Sequence, residues 1–187
     1  MNTLLQPDRS PINSHALFTD VSLDTEHKYG IGAYLFIPVS FFREKNHRIN
    51  RKDIAEKLKI RKFENTSSTR LEVQTVLWAL DEIEKTVPKH GSMTLQVYTD
   101  SQCVAGLQGR RSRLDSCNFI SQKTGQPLKN ADLYRTFYEL CDKMGFSVIK
   151  VSGHTPASSR DTIHHIFSCV DQEVRKALKC WDRKQKQ

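Results

Sequence analysis

The chain has 187 residues, 37% hydrophobic and 27% charged, which suits one folded domain with a core and excludes a disordered polyelectrolyte. Its longest apolar stretch, Ile31 to Phe42, is broken by Gly32, Pro38 and Ser40, and MNTLLQPDRSPINSH lacks the features of a secretory leader, so no membrane span is expected and a cytoplasmic location is. The net charge of +8 is clustered: residues 43–62 hold nine basic and three acidic groups, residues 108–123 four and one, and the stretch from Val174 onward six and one, leaving the rest net −6, a pattern that favours a polyanionic partner.

In chain order, HALFTDVSLD reads as a first strand. GIGAYLFIPVSFF reads as a second, closed by Pro38, with a hairpin turn at Lys28–Tyr29–Gly30. Ile54, Ala55 and Leu58 have helical spacing within Asn50 to Lys59, and Ile60 to Glu64 alternates as a third strand would. SSTRLEVQTVLWALDEIEK opens with capping residues and places Leu71, Val73, Val76, Leu77, Leu80 and Ile83 on one broad helical face. TLQVYTDS is a strand and QCVAGLQ a short helix after it, whereas Gly109 to Pro127 is polar and weakly patterned, as an exposed protrusion would be. NADLYRTFYELCDKM reads as a helix, FSVIKVSG as a strand, and Thr162 to Lys184 as a last helix. Cys103, Cys117, Cys141, Cys169 and Cys180 are odd in number and form no CxxC pair, so free thiols are expected.

Four carboxylates occupy apolar surroundings. Asp20 and Asp100 each interrupt a strand near its C-terminal end, where open α/β sheets gather ligands. Glu72 lies among the apolar positions of its helix, and Asp171 has Val170, Val174 and Leu178 as helix neighbours. Taking a carboxylate from water costs several kcal/mol unless a positive charge offsets it. Hard oxygen donors of this kind suit Mg²⁺ or Mn²⁺, and paired divalent ions serve many nucleases. His164 and His165 are adjacent, so they point to different helix faces and make a poor chelate; Trp78, between Leu77 and Leu80, reads as core.

These residues resemble the type 1 ribonuclease H family, as a divergent bacterial-type member. The blocks LFTDVS with GIGAYL, TSSTRLEVQTVLWAL, VYTDSQCV, PLKNADLY, VSGH and VDQEVRKAL stand in family order across about residues 15–182. The resemblance implies an α/β ribonuclease H-like fold, a five-stranded mixed sheet of order 3-2-1-4-5 flanked by helices. It implies a single domain over 1–187, with a flexible N-terminus at 1–14, a basic insertion at 43–62 and a flexible basic tail at 183–187. The activity implied is endonucleolytic hydrolysis of the RNA strand of RNA–DNA hybrids, leaving 5′-phosphate and 3′-hydroxyl ends. Two Mg²⁺ ions, with Mn²⁺ as the alternative, and an RNA–DNA hybrid are the implied cofactor and partner; no protein or membrane partner is implied, and a monomer is expected.

Residue by residue, the resemblance makes Asp20, Glu72, Asp100 and Asp171 the metal-binding set, with Asp20 shared between both ions. Asp171 would serve the ion that activates water, Glu72 and Asp100 the ion at the leaving group. His154 matches the histidine that assists proton transfer and product release. Ser68, Thr69, Ser101 and Gln102 match nucleic-acid contacts, Gln102 in the minor groove. Arg110, Arg111, Arg113 and Lys123 fall in the basic protrusion that grips the DNA strand, which implies salt-sensitive binding. Three features depart from the family pattern: Val21 replaces a glycine before the loop LDTEHKYG, Ser68 and Thr69 replace an asparagine pair, and 17 positions separate His154 from Asp171. The first bears on recognition of the 2′-hydroxyl, which distinguishes RNA from DNA. The third makes Asp161 a competitor for the fourth carboxylate, although Asp161 also suits a helix cap. A ribonuclease H-like nuclease with another substrate, or an inactive hybrid-binding module, are the alternatives.

Overall fold

A computed structural model describes residues 14–43, 50–86, 93–152 and 161–185. Two antiparallel strands open it, β1 (Ser14–Asp24) and β2 (Tyr29–Pro38). The turn between them is Thr25 to Lys28, one register earlier than the sequence pattern suggests, because Asp24 Oδ1 accepts from the backbone N–H of Glu26 and His27 at 2.9 and 3.0 Å. After Pro38 the ladder ends, as the sequence pattern suggests, and Ser40–Arg43 turns into a short helix, α1. Helix α2 (Arg51–Lys57) then leads into the edge strand β3 (Lys59–Phe63) and the long helix α3 (Ser68–Thr86).

Strand β4 (Thr94–Thr99) is followed by α4 (Gln102–Ala105), α5 (Leu107–Ser116) and α6 (Ala131–Met144). Strand β5 (Ser147–Lys150) and helix α7 (Thr162–Gln185) complete the order. The expected protrusion after Gly109 is therefore helical to Ser116, held by Leu107 and Leu114, buried and seven positions apart on one face. Helix α7 runs through 183–185, and Ser14 already belongs to β1. Residues 1–13, 44–49, 87–92, 153–160 and 186–187 lie outside the described residues.

The sheet order is β3-β2-β1-β4-β5, with β1–β2 and β2–β3 antiparallel and β1–β4 and β4–β5 parallel. Alternation along β1 divides the core: Leu17 faces the cluster built with α3 and α6, while Ala16 and Phe18 face the cluster built with α7. All six apolar residues marked on the face of α3 are buried, and Trp78 is half-buried against Tyr34. Helix α3 approaches β2 closely at two glycines. A methyl at Gly32 would stand 2.1 Å from Thr75 Oγ1, and one at Gly30 2.3 Å from Leu71 Cδ2. That approach matters for the site, because Glu72 follows Leu71 directly. All five cysteines are free, and no helix among the described residues is long and apolar enough to cross a membrane.

Candidate active site

The parallel ladder of β1 and β4 runs from Ser14–Thr94 to Phe18–Tyr98, so two steps further in register are Asp20 and Asp100. Strand β4 stops at Thr99, whereas β1 continues to Asp24 against β2. Asp20 is thus mid-strand, paired with Ala33, rather than at a strand end as its sequence position suggests. Beside it, where β1 has lost its parallel neighbour, lies an open cleft of about 170 Å³ lined by Thr19, Asp20, Val21, Glu72, Thr99 and Asp100.

Asp20 is 8% exposed, and its Oδ2 is buried without a hydrogen-bond partner. Burial, reinforced by the charges of Asp100 and Asp171, pushes its carboxyl up to about 8, against a lowering bond from the Val21 N–H and the pull of Arg175. Asp100 is also raised, first by desolvation and further by Asp171, with Lys150 and Arg175 opposing. The two strand aspartates and Asp171 of α7 therefore act on one another electrostatically.

Glu72, one turn into α3, is held by two hydroxyls: Ser101 Oγ donates to Oε2 at 2.5 Å and Ser68 Oγ to Oε1 at 3.3 Å. Ser101 is itself buried and caps α4, its Oγ accepting from Val104 N at 3.2 Å. One side chain thus fixes both the helix after Asp100 and the carboxylate reaching in from α3. Asp171 accepts from Arg175 Nε at 2.7 Å, one helical turn on. Asp161 is committed elsewhere: its Oδ1 accepts from His164 N at 2.9 Å and lies 2.7 Å from His164 Nδ1, capping the start of α7. Between the two competitors, Asp171 is the one whose charge reaches Asp20 and Asp100.

Among the described residues, no three His, Cys, Asp or Glu side chains stand close enough to form a ready-made ion cage. Glu72 turns to the serines and Asp171 to Arg175 instead. The donor set nonetheless fits a hard divalent cation: acid oxygens from four elements, one of them buried, unpartnered and facing an open cleft.

The remaining sequence candidates fare unevenly. Thr69 and Gln102 are exposed at the starts of α3 and α4, flanking Glu72 and Asp100. Arg113 and Lys123 are exposed, with no partner among the described residues. Arg110 bends back, its Nε donating to the Gly106 carbonyl at 3.0 Å and its Nη2 to the Cys103 carbonyl at 2.6 Å. Arg111 forms a forked ion pair with Asp142 and a second contact with Asp115 at 3.5 Å. His154 lies outside the described residues. The sequence reading overlooked Arg175 and Lys150. The i,i+4 spacing from Asp171 would have found the first; nothing short of the sheet register, Thr99 beside Lys150, would have found the second.

A sequence profile of the family described as RNase H matches residues 13–165, a span that includes Asp20, Glu72 and Asp100 and ends before Asp171. No curated protein matches the chain. Among solved structures it is similar to the RNase H domain of prototype foamy virus solved in solution, at 14% identity and a TM-score of 0.60, covering 87% of this chain and 92% of that domain. It is also similar to the native prototype foamy virus protease–reverse transcriptase, at 15% identity and TM-score 0.61, over 87% of this chain and 20% of that one. The foamy viral protease–reverse transcriptase in complex with an RNA/DNA hybrid matches at 14% identity and TM-score 0.60, over 94% of this chain and 22% of that one. The chain thus spans about a fifth of the length of those protease–reverse transcriptases.

Proposed function

Because the chain belongs to the ribonuclease H family, we propose that it is a metal-dependent endonuclease that cuts the RNA strand of RNA–DNA hybrids, as a single domain, leaving 5′-phosphate and 3′-hydroxyl ends. The observation that carries this reading is the buried, unpartnered Asp20 oxygen in a cleft shared with Glu72 and Asp100 and within electrostatic reach of Asp171. Asp20, Glu72, Asp100 and Asp171 would hold two divalent ions, Mg²⁺ or Mn²⁺. Such ions supply Lewis-acid polarisation of a phosphate and offset the charge that develops on it.

The chain's own groups prepare that site. The Val21 N–H and the β1 backbone fix Asp20, and Asp20 keeps its proton near neutral pH until a positive charge displaces it. Ser101 and Ser68 hold Glu72 at the cleft wall, so its reach is set before substrate arrives. Gln102 and Thr69, exposed at the starts of α4 and α3, would touch the strand being cut, and His154 is assigned to proton transfer by the resemblance alone. The foamy viral enzyme's complex with an RNA/DNA hybrid supports the choice of substrate. Val21 supports a second reading, since its side chain lines the cleft where the family pattern has glycine; a nuclease acting on duplex RNA or structured DNA would have the same acidic site.

The test is cleavage of end-labelled hybrid, duplex RNA and duplex DNA, each with Mg²⁺ and with EDTA. Cuts confined to the RNA strand of the hybrid, and only with Mg²⁺, are expected. Preference for duplex RNA or DNA would favour the second reading, and hybrid binding without any cut would make the chain an inactive binding module.

A further inference from the structure

The two serines that hold Glu72 differ in burial. Ser101 is 5% exposed, and its Oγ is used twice, donating to Glu72 Oε2 and accepting from Val104 N. It has no proton left for a ligand and almost no surface on which to meet one. Ser68 is exposed at the first residue of α3, and its Oγ donates to the other carboxylate oxygen, Oε1, at 3.3 Å. Of the two hydroxyls on Glu72, Ser68 is the one that a bound strand can reach.

The direction of the Ser68 bond decides what that position can recognise. A carboxylate accepts and does not donate, so the single hydroxyl proton of Ser68 points at Glu72 and its Oγ turns only lone pairs outward. A strand lying over it must then bring a donor. Phosphate and sugar-ring oxygens only accept, whereas the 2′-hydroxyl of ribose also donates and is missing from DNA. The β1 side of the cleft is less suited to the same task. Val21 brings an apolar side chain there. In the turn beyond it, Asp24 Oδ1 takes the N–H groups of Glu26 and His27, and the Lys28 carbonyl accepts from Thr66 N at 3.0 Å.

We propose that Ser68 is a specificity-determining residue for the cleavage: its Oγ accepts from a ribose 2′-hydroxyl of the strand being cut while its own proton stays on Glu72. The sugar of the substrate and a ligand of the ions then share one hydroxyl. This rests on the nuclease reading of the cleft and adds to it a residue that separates ribose from deoxyribose. The competing account is that Ser68 only steadies the first turn of its helix through Glu72, four positions on.

The decisive comparison is binding of two probes of one sequence, followed by fluorescence anisotropy in EDTA so that no cleavage intervenes. One is an RNA–DNA hybrid; the other carries 2′-fluoro in place of every 2′-hydroxyl of the RNA strand. Fluorine fills the same position but donates nothing. The unaltered protein is expected to prefer the hydroxyl strand, and Ser68→Ala to reduce that preference roughly two- to tenfold, the equivalent of one neutral hydrogen bond. Affinity of Ser68→Ala for the fluoro probe is expected to equal that of the unaltered protein, which also reports that the variant is folded. Ser68→Thr, which keeps a hydroxyl, is expected to restore the preference. An unaltered protein with no preference would overturn the proposal, as would a preference that survives Ser68→Ala or an equal loss of affinity for both probes. Cleavage of the hydroxyl hybrid by the unaltered protein is scored separately with Mg²⁺. Failure of the catalytic reading then shows as absent cuts, and failure of the Ser68 role as an unmoved ratio of affinities.

Discussion

At the β1–β4 cleft, acidic groups are crowded and left without enough positive charge; on α5, Arg110 and Arg111 are supplied with partners from their own chain. Asp20 keeps a buried oxygen unpartnered, and burial pushes its carboxyl up to about 8. Arg111 has Asp142 and Asp115 against it, and Arg110 two backbone carbonyls. The first region leaves an acid oxygen unsatisfied; the second has answered Arg110 and Arg111 from within the fold. Unsatisfied charge held in place by the fold marks where a ligand belongs, whereas a count of charges in a sequence window does not.

The largest effect expected from breaking this contrast comes at the cleft. Asp100→Asn removes one of the four proposed ligands, and loss of even an outer-shell partner typically costs 10–100-fold, so hybrid cleavage in Mg²⁺ is expected to fall by more than about 100-fold. Cleavage that survives the change would place the metal site elsewhere.

The next effect is on stability without metal. The Asp20 carboxyl is raised in the folded protein from 3.8 to about 8. A raised acid contributes stability that is fully present below the unfolded value and is lost as pH rises towards the folded value. Between about pH 4 and pH 8 in EDTA, the unaltered protein is therefore expected to lose about 2–4 kcal/mol relative to Asp20→Asn, or roughly 5–10 °C in melting temperature. Parallel melting curves for the two proteins would show that Asp20 is not held protonated.

The smallest effect belongs to α5. The Arg111 pair is exposed, so Arg111→Gln is expected to leave the melting temperature nearly unchanged and to leave the salt slope of hybrid binding alone. Arg113→Gln, which removes a free cation, should lower that slope by about 0.9 if α5 meets a phosphate. Equal slope changes would mean that the Arg111–Asp142 pair opens on binding.

Much of this was legible in the sequence. An aspartate inside an apolar strand, as in LFTDVS and VYTDS, conflicts with burial whatever the fold, and both proved to line the cleft. Asp161 read as a cap because capping depends on residues two to four positions away, and it does cap α7. What stayed hidden depends on distance along the chain. Arg111 meets Asp142 31 positions on, and Ser101 meets Glu72 29 positions back, which no local pattern reveals. Helix α5 was missed because only Leu107 and Leu114 anchor it, too few apolar positions to raise a 3.6-residue period.

The claim that the cleft is a cation site built around a protonated Asp20 is tested most directly by titrating metal-free protein with Mg²⁺ in a calorimeter at pH 7. Run in two buffers of different ionisation enthalpy, the titration counts protons released on binding. Release of close to one proton per protein is expected, vanishing in Asp20→Asn. Mg²⁺ binding without proton release, or release unchanged in Asp20→Asn, would contradict it.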